Sequence, residues 1–330
     1  MNITRKIDNN KFFYYYKNKL ITNKNIIENI NKIRIPPGYN NVKINENFDD
    51  DILAIGEDSA GRKQYMYNKN YIEEQSEIKF CDLINFGRKI KKIRKDINDH
   101  INREINNFSK EDIIYMALYL IDNCNFRIGS KKYKELYNSY GVTTLNSKHF
   151  KFLKNYVRIE FIGKKGVLNK SVIKNKNVMY NLGHLCSTYR NQEFIFSYDF
   201  DGKLVQLSDK VVNSFLQQKY HKSLTVKMFR TWNANNILLR EIIDLEAPRN
   251  TKDAENNINK IVKKVANKLH HTPNVSKKSY INNELLNLYK NDFKIFYNIL
   301  KQFIETKSKF PSIDRLLNIF LEYLCNLHKK

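Results

Sequence analysis

The spacing of the apolar residues changes near residue 80, and this change constrains the fold more than any other feature of the 330-residue sequence. Before it, short aromatic or β-branched runs are separated by Gly, Asn and Asp, which is typical of strands joined by turns. After it, apolar residues recur at helical spacing. We therefore predict an α+β fold with a small β-rich N-terminal domain, residues 1–77, and a larger, mostly α-helical domain, residues 78–330, with a short linker near residues 70–80.

The individual elements follow from the same patterns. In the first domain, strand-like runs lie at residues 12–16, 42–45, 52–55 and 63–67. One helix is predicted there, at residues 25–33. In the second domain, a Gly-Lys-Lys-Gly turn predicts a hairpin at 157–173, and a further strand is predicted at 194–198. Helices are predicted at 83–105, with a dense basic stripe, and at 109–123, 131–139, 208–220, 224–245, 252–269, 281–304 and 309–328.

The chain is strongly basic, with 58 Lys and Arg residues against 34 Asp and Glu residues, a net charge of +24 and a sequence pI near 9.6. Such an excess favours a polyanionic partner, because it steers the encounter and releases counterions on binding. The abundance of Lys, Asn and Ile is also typical of an AT-rich gene, which would account for many of the lysines. It does not account for the arginines that stand in motifs.

The four cysteines, Cys81, Cys124, Cys186 and Cys325, are widely spaced and form no C-x-x-C pair. Free thiols in a reducing compartment are the simplest interpretation. The N-terminus carries no apolar signal stretch, and no apolar window approaches the length of a membrane span. We therefore expect an intracellular protein with no membrane partner.

The residues most informative about chemistry are His271 and Tyr280, which lie either side of a Pro-containing turn. A tyrosine hydroxyl attacks a phosphodiester only where cations and donors absorb the charge that builds on phosphorus. Upstream, Arg230 stands near the start of a buried-looking helix, where a charge without a partner would be costly. Arg127 follows a strongly apolar segment, and Lys164 lies in the hairpin turn. In chain order, the sequence offers Arg, Lys, Arg, His and Tyr.

This order resembles that of the type IB DNA topoisomerases, most closely the compact form carried by poxviruses and other large DNA viruses. The resemblance covers nearly the whole chain. The flanking segments that carry it are Arg34-Ile35-Pro36-Pro37-Gly38-Tyr39, Asp58-Ser59-Ala60-Gly61-Arg62-Lys63-Gln64-Tyr65-Met66-Tyr67, Lys227-x-x-Arg230-Thr231-Trp232 and His271-Thr272-Pro273 through Tyr280. It implies a DNA-clamping N-terminal domain and a catalytic domain of the kind shared by tyrosine recombinases and type IB topoisomerases.

The resemblance also implies a role for each of the five residues. Tyr280 would attack in line and become joined to the 3′-phosphate. Arg127 and Arg230 would bind the non-bridging oxygens, because a guanidinium donates two parallel hydrogen bonds and stays charged. His271 would donate one more hydrogen bond. Lys164 would protonate the leaving 5′-oxygen as the general acid, since an ammonium beside guanidiniums gives up its proton more readily.

Two neighbours compete for these roles. Lys165 is an alternative to Lys164, and His270 is an alternative to His271, although only His271 precedes the Thr-Pro of the family motif. The closest viral relatives are expected to have a lysine where this chain has Ser130. The segment at 233–236 lacks the Gly-Thr pair of many cellular and bacterial relatives. The substitution at Ser130 bears on DNA-site preference, and neither departure touches the chemistry.

No cofactor is expected. Religation reverses cleavage and the phosphotyrosine linkage conserves bond energy, so no nucleotide is needed, and the chain has no G-x-x-x-x-G-K-[ST] loop. His184, Cys186 and His221 lack the spacing of metal ligands. The acidic run at 49–51 is typical of a solvated loop. We therefore predict catalysis without a metal.

Double-stranded DNA is the expected partner, clamped by a monomer. Gln64, Tyr65 and Tyr67 look like the family's groove-contacting residues, the alternative being an ordinary alternating strand, and Lys132 and Lys227 are further expected DNA contacts. The resemblance places the protein in a virion and at a cytoplasmic site of viral replication, with the host nucleus as an alternative.

Two other functions stay open. A tyrosine recombinase or integrase shares the chemistry, but most often carries His-x-x-Arg where this chain has Lys227-x-x-Arg230, and its N-terminal module is helical. A non-enzymatic architectural DNA-binding protein would need only the net charge of +24.

Overall fold

The computed structural model describes residues 1–9, 11–305 and 312–327, and it confirms the α+β class. The chain separates into two compact units, Met1–Phe80 and Cys81–Lys330. The boundary predicted between residues 77 and 78 lies three residues before this division and stays a prediction.

Among its described residues, the first unit contains one antiparallel sheet, one short helix and the start of a longer helix that continues into the second unit. Its elements are β1 (Ile3–Asp8), β2 (Lys11–Tyr16), β3 (Lys19–Leu20), α1 (Lys24–Lys32), β4 (Asn40–Ile44), β5 (Ile52–Glu57) and β6 (Lys63–Tyr67). The strand order is β3-β2-β1-β4-β5-β6. Asn23 is the N-cap of α1, and its side chain accepts hydrogen bonds from two backbone N–H groups. The helix buries Ile30 in a core with Ile3, Ile44 and Ala54.

Helix α2 (Lys69–Ile101) spans the segment predicted as a short linker, so the chain is helical where it passes between the two units, and the linker near residues 70–80 stays a prediction. Residues 69–82 contain no Gly or Pro and are rich in good helix formers, but most of their side chains are exposed and give no apolar period. Regular apolar spacing begins only at Leu83, where the helix starts to bury side chains. Intrinsic helix propensity therefore places the start of α2 fourteen residues earlier than periodicity does.

The second unit is mostly helical. Its remaining helices are α3 (Lys110–Cys124), α4 (Lys131–Tyr137), α5 (Lys176–Thr188), α6 (Asp209–Lys219), α7 (Lys227–Ile243), α8 (Thr251–Lys268), α9 (Pro273–Ser279), α10 (Asn283–Asn291), α11 (Phe293–Glu305) and α12 (Ile313–Leu327). Helix α7 packs against α3, α8 and α12, and this packing places its buried face at the centre of the unit.

Two of these helices were not predicted, and one prediction joined two helices. Helix α5 and the seven-residue α9 were missed, and the helix predicted at 281–304 is broken at Asp292, which leaves α-helical geometry (φ −126, ψ 42). The predicted helix at 309–328 matches α12, while residues 309–311 and 328 lie outside the described residues.

Two small antiparallel sheets complete the second unit. Strands β7 (Phe150–Leu153), β8 (Tyr156–Ile162) and β9 (Leu168–Ile173) form one sheet, and β10 (Ser197–Phe200) pairs with β11 (Lys203–Gln206). The predicted hairpin at 157–173 is confirmed by the pairing of β8 with β9, and the turn between them is Lys164–Gly166. The strand predicted at 194–198 is only partly correct, because β10 begins at Ser197.

Candidate active site

Helix α7 carries Arg230 into the protein interior, where this side chain is 2% exposed. Its Nη2 donates a hydrogen bond to the carbonyl oxygen of Leu269 at 2.9 Å and also contacts Nε2 of His271. Its Nε and Nη1 atoms are buried, and neither has a hydrogen-bond partner among the described residues. A buried charged group with unused donors is costly unless an anion completes it. Arg230 therefore offers two donors to an anionic ligand.

Arg127 lies in the loop that follows α3. Asn125 ends that helix in the left-handed conformation (φ 55), and the carbonyl oxygen of Arg127 accepts a hydrogen bond from the N–H of Val142 at 2.9 Å. The backbones of Gly129 and Gly141 approach so closely that a Cβ on Gly141 would lie 2.5 Å from the Cα of Gly129. This close approach holds the loop in place. The Nη1 of Arg127 is a further buried donor that no described residue satisfies.

The short helix α9 brings Tyr280 back to His271. Its N-cap is Thr272, whose side chain accepts a hydrogen bond from the N–H of Val275, and Tyr280 is its C-terminal cap. The ring centres of His271 and Tyr280 are 4.5 Å apart. The guanidinium carbon of Arg230 lies 5.2 Å from the centre of the Tyr280 ring. The structure thus brings Arg127, Arg230, His271 and Tyr280 into one cluster, and the catalytic roles that the resemblance implies for them stay predictions.

The charges in this cluster favour anions. Burial alone would raise the pKa of Tyr280, but the nearby guanidiniums of Arg230 and Arg127 stabilise the phenolate and bring its pKa below the usual 10.0. Burial, with added repulsion from Arg230 and Arg127, lowers the pKa of His271 to about 3. Burial also lowers the pKa of Arg230 to about 10, which leaves it charged at neutral pH. The cluster therefore combines two cations, a neutral imidazole and an unusually acidic phenol.

The two histidines have different surroundings. A guanidinium can only donate, so Nε2 of His271 accepts from Arg230 and the ring proton is assigned to Nδ1, 3.4 Å from the hydroxyl of Ser276. In contrast, Nε2 of His270 lies 3.3 Å from the carbonyl oxygen of Cys124. The structure therefore places His271, and not its neighbour, against Arg230 and Tyr280.

The two lysines predicted for the site differ in position. The ammonium of Lys227 lies 5.9 Å from the centre of the Tyr280 ring, one helical turn before Arg230. Lys164 is exposed at the tip of the β8–β9 hairpin, and its ammonium lies 5.8 Å from the centre of the Tyr133 ring. The structure does not place Lys164 beside the two guanidiniums, which was the physical reason for its predicted acidity. Its role as general acid stays a prediction, as does the alternative at Lys165, which adjoins it in the turn with a φ of 62.

The predicted groove contacts lie elsewhere in the chain. Tyr65 and Tyr67 point to the same face of β6, are 44% and 40% exposed, and stack with ring centres 6.1 Å apart. Gln64 lies on the opposite face of that strand and donates a hydrogen bond to Asp58 at 2.9 Å. Lys132 is exposed on α4. Contacts of these residues with DNA stay predictions.

Sequence analysis does not identify three buried or partly buried asparagines near the cluster, which are Asn125, Asn233 and Asn235. Asn235 donates to the carbonyl oxygen of Tyr280 at 3.0 Å, and Asn233 donates to the side chain of Asn125 at 3.0 Å. For Asn233 and Asn235 the sequence carries an indication, because a helix whose apolar pattern predicts burial rarely contains Asn unless the side-chain amide is hydrogen-bonded.

In the part of the chain that the structure describes, no three His, Cys, Asp or Glu side chains are grouped as metal ligands would be. Within the same residues, no helix is both long and apolar enough to cross a membrane.

Comparisons with known proteins agree with this geometry. Residues 68–306 match the family described as eukaryotic DNA topoisomerase I, catalytic core. The chain is 34% identical to DNA topoisomerase 1B of Acanthamoeba polyphaga mimivirus, over 97% of this chain and 95% of that protein. It is 24% identical to DNA topoisomerase 1B of Vaccinia virus (strain Copenhagen), over 94% of this chain and 97% of that protein. A DNA topoisomerase 1 of Mycosarcoma maydis is 26% identical over 54% of this chain and 19% of its own length.

Proposed function

The chain belongs to the family of type IB DNA topoisomerases, and we propose that it relaxes supercoiled duplex DNA by cutting and resealing one strand through Tyr280. The enzyme class is thus a DNA isomerase, with DNA as its substrate.

The observation that carries the proposed chemistry is the set of unused buried donors beside Tyr280. Nε and Nη1 of Arg230 and Nη1 of Arg127 are buried without protein partners in the described residues. A phosphodiester has two non-bridging oxygens, and paired guanidiniums match their charge and geometry. The phenol whose pKa these guanidiniums lower is the group that would attack the same phosphorus.

The reaction then proceeds in two reversible steps. The Tyr280 phenol loses its proton to solvent and its oxygen forms a bond to phosphorus while the bond to the 5′-oxygen breaks. The departing 5′-oxygen takes up a proton, which leaves a 3′-phosphotyrosyl linkage and a free 5′-hydroxyl. Charge on the equatorial oxygens is stabilised by Arg127 and Arg230. His271 donates a further hydrogen bond once Nε2 carries a proton, through a change of tautomer or uptake of a proton favoured by the phosphate charge. In religation the 5′-hydroxyl attacks, and Tyr280 leaves.

Proton delivery to the 5′-oxygen is assigned to Lys164. The paired strands β8 and β9 hold the base of its hairpin, and the three residues of the turn are exposed. The contact of Lys164 with the exposed ring of Tyr133 is weak enough to be given up, since a cation over an aromatic ring at an exposed site contributes only about 0.5–1 kcal/mol.

We further propose that a monomer suffices and that no nucleotide or metal takes part. All four clustered side chains come from one chain, and the cations that the chemistry needs are guanidinium and ammonium groups. Linear dependence of the relaxation rate on protein concentration is the expected result. A higher-order dependence would favour the tyrosine recombinase alternative, which acts as a multimer.

Plasmid relaxation is the direct test. The protein is incubated with positively or negatively supercoiled plasmid in EDTA without ATP, and topoisomers are resolved by gel electrophoresis. Both substrates should be relaxed by the unaltered chain and neither by Tyr280→Phe. A strict requirement for Mg²⁺ or ATP would overturn the proposed chemistry.

A further inference from the structure

Two side chains that hold the Arg127 loop stand on backbone in the left-handed region. Asn125 (φ 55) ends α3, and His270 (φ 54) immediately precedes His271. This backbone region is unfavourable for residues with a side chain, and least so for Asn and His. A non-glycine residue persists there where its surroundings hold it. Both residues have such surroundings.

Asn125 joins the Arg127 loop to the helix that carries Arg230. Its Oδ1 accepts a hydrogen bond from Nδ2 of Asn233 at 3.0 Å, and Asn233 lies on α7 one turn after Arg230. Asn233 is itself held firmly, because its Nδ2 donates to the carbonyl oxygen of Asp122 at 2.7 Å and its Oδ1 accepts from Arg94 at 3.0 Å. The asparagine pair therefore ties the loop to a fixed point.

His270 joins the same loop to the segment that carries His271 and Tyr280. Its Nε2–H can donate to the carbonyl oxygen of Cys124, 3.3 Å away at the end of α3. Its ring centre lies 5.6 Å from that of Phe126, which is fully buried and directly precedes Arg127 in the chain. This second tie reaches the loop from the turn between α8 and α9, whereas the first comes from α7.

The two ties oppose a repulsion. Arg127 and Arg230 carry like charges close enough for Arg127 to lower the pKa of Arg230, and both have buried donors that the described residues leave unpaired. Like charges in a poorly solvated cluster push apart. The Arg127 loop and α7 must therefore be held together by contacts of residues other than the two arginines.

We propose that Asn125 and His270 are positioning residues that hold Arg127 at the place from which it and Arg230 can reach one scissile phosphate. This positioning role rests on the proposed function, since it needs a phosphate at the cluster. Neither side chain would touch the substrate.

Glycine substitutions separate the ties from the backbone. Asn125→Gly and His270→Gly keep the left-handed conformation, which glycine adopts without strain, and remove only the side chains. Asn125 and Asn233 both line an open recess of about 350 Å³. Water can therefore hydrogen-bond to Asn233 in place of the Asn125 side chain when that side chain is removed. Asn138→Gly is the matched control, because exposed Asn138 (φ 45) ends α4 in the same conformation.

The experiment measures single-turnover cleavage of a duplex oligonucleotide, DNA binding and thermal unfolding for each variant. Asn125→Gly and His270→Gly should each slow cleavage by about tenfold or more, the scale of a small misplacement of a catalytic group, while DNA affinity stays unchanged. The double variant should be slower than either. Asn138→Gly should cleave like the unaltered chain.

A neutral substrate distinguishes positioning from general stability. The cleavage assay is repeated with both methylphosphonate diastereomers at the scissile position, each of which replaces one charged non-bridging oxygen by a methyl group. Arg127→Ala identifies the diastereomer that no longer needs Arg127. The rate defects of Asn125→Gly and His270→Gly should shrink on that diastereomer and persist on the other.

Equal defects on phosphate and on both diastereomers would overturn the positioning role, as would cleavage by both glycine variants at the rate of Asn138→Gly. If one glycine variant unfolds, the other still tests the positioning role, because Asn125 and His270 lie on different segments of the chain. Failure of the unaltered chain to form a covalent adduct would instead refute the proposed function itself.

Discussion

The carbonyl oxygen of Tyr280 accepts a hydrogen bond from the side-chain amide of Asn235 at 3.0 Å. The same amide accepts, through its Oδ1, from the N–H of Asn282 at 2.8 Å. Asn235 is fully buried and its Nδ2 also donates to Thr231 on its own helix at 2.8 Å. The backbone from the carbonyl group of the proposed nucleophile to the N–H of Asn282 is therefore attached to α7, the helix that presents Arg230.

This attachment predicts that Asn235→Ala slows cleavage, because Tyr280 loses its fixed position relative to Arg230. A loss on the order of tenfold to a hundredfold is expected in a single-turnover assay. Asn236→Ala is the control, since this neighbour on α7 is also buried but its side-chain amide donates to Asp314 at 2.6 Å, and not to the Tyr280 carbonyl oxygen. Equal rates for the two variants would contradict the positional role of Asn235.

Tyr280→Phe should abolish the SDS-stable protein–DNA adduct and leave non-covalent binding nearly intact, because only the attacking oxygen is removed. Gel analysis of the adduct and fluorescence anisotropy measure the two properties. Tyr289→Phe should retain the adduct, since Tyr289 is fully buried and its hydroxyl accepts from Asn257 at 3.1 Å. An adduct that persists in Tyr280→Phe would mean that another tyrosine is the nucleophile.

Lys164→Ala should slow cleavage of an ordinary phosphodiester by roughly a hundredfold, the scale of positioned proton transfer. A substrate with a 5′-bridging sulfur should restore the rate, because a thiolate leaves without being protonated. Arg230→Ala and His271→Ala should show no such rescue, since oxygen stabilisation is needed whatever departs. If sulfur fails to rescue Lys164→Ala but rescues Lys165→Ala, the acid is the neighbouring lysine.

The neutral state of His271 predicts a loss of stability in acid. Its folded pKa, about 3, lies below the usual 6.5, so below pH 6.5 the unfolded chain binds a proton that the folded chain does not. The free energy of unfolding should fall as the pH drops from 6.5 toward 3. Urea unfolding at several pH values should show that His271→Gln removes a slope of up to about 1.4 kcal/mol per pH unit. An unchanged slope would assign the proton to another group.

Arg94 makes two partly buried ion pairs whose loss should be costly. It bonds to Asp122 and Asp314 at 2.7 Å each, and Asp122 is almost fully buried. Arg94→Met would leave both carboxylates without their cation and should lower the free energy of unfolding by about 3–5 kcal/mol. Arg88→Met, which breaks only the exposed pair with Glu322, should cost about 0–1 kcal/mol. Chemical denaturation of both variants provides the comparison, and similar losses would contradict it.

The clustered residues could be identified from sequence because each belongs to a short local motif. Arg230 stands in a Lys-x-x-Arg-Thr-Trp run, and His271 and Tyr280 flank one short helix, so local order carries most of the information. The position of Lys164 could not be read in this way, since the orientation of an exposed hairpin tip depends on packing far along the chain. The sequence likewise does not identify the hydrogen-bond partners of the side chains of Asn125 and Asn235, because these partners lie 108 and 45 residues away.

The fold class is predicted correctly, but two helix boundaries are not, and both lie where burial and helix propensity diverge. The first turns of α2 are helical without an apolar face, and the break at Asp292 interrupts a continuous apolar pattern. In both cases the local backbone, and not the distribution of apolar residues, decides the element boundary.

Helix α9 fixes the number of residues that can separate His271 from Tyr280. The helix runs from Pro273 to Ser279 and is capped by Tyr280, whose N–H bonds to the carbonyl oxygen of Ser276 at 3.1 Å. Inserting one residue into it would rotate Tyr280 by about 100° and advance it by about 1.5 Å, which would carry the phenol away from the imidazole. Exposed positions such as Lys277 can therefore change identity freely, whereas the segment as a whole can neither gain nor lose a single residue.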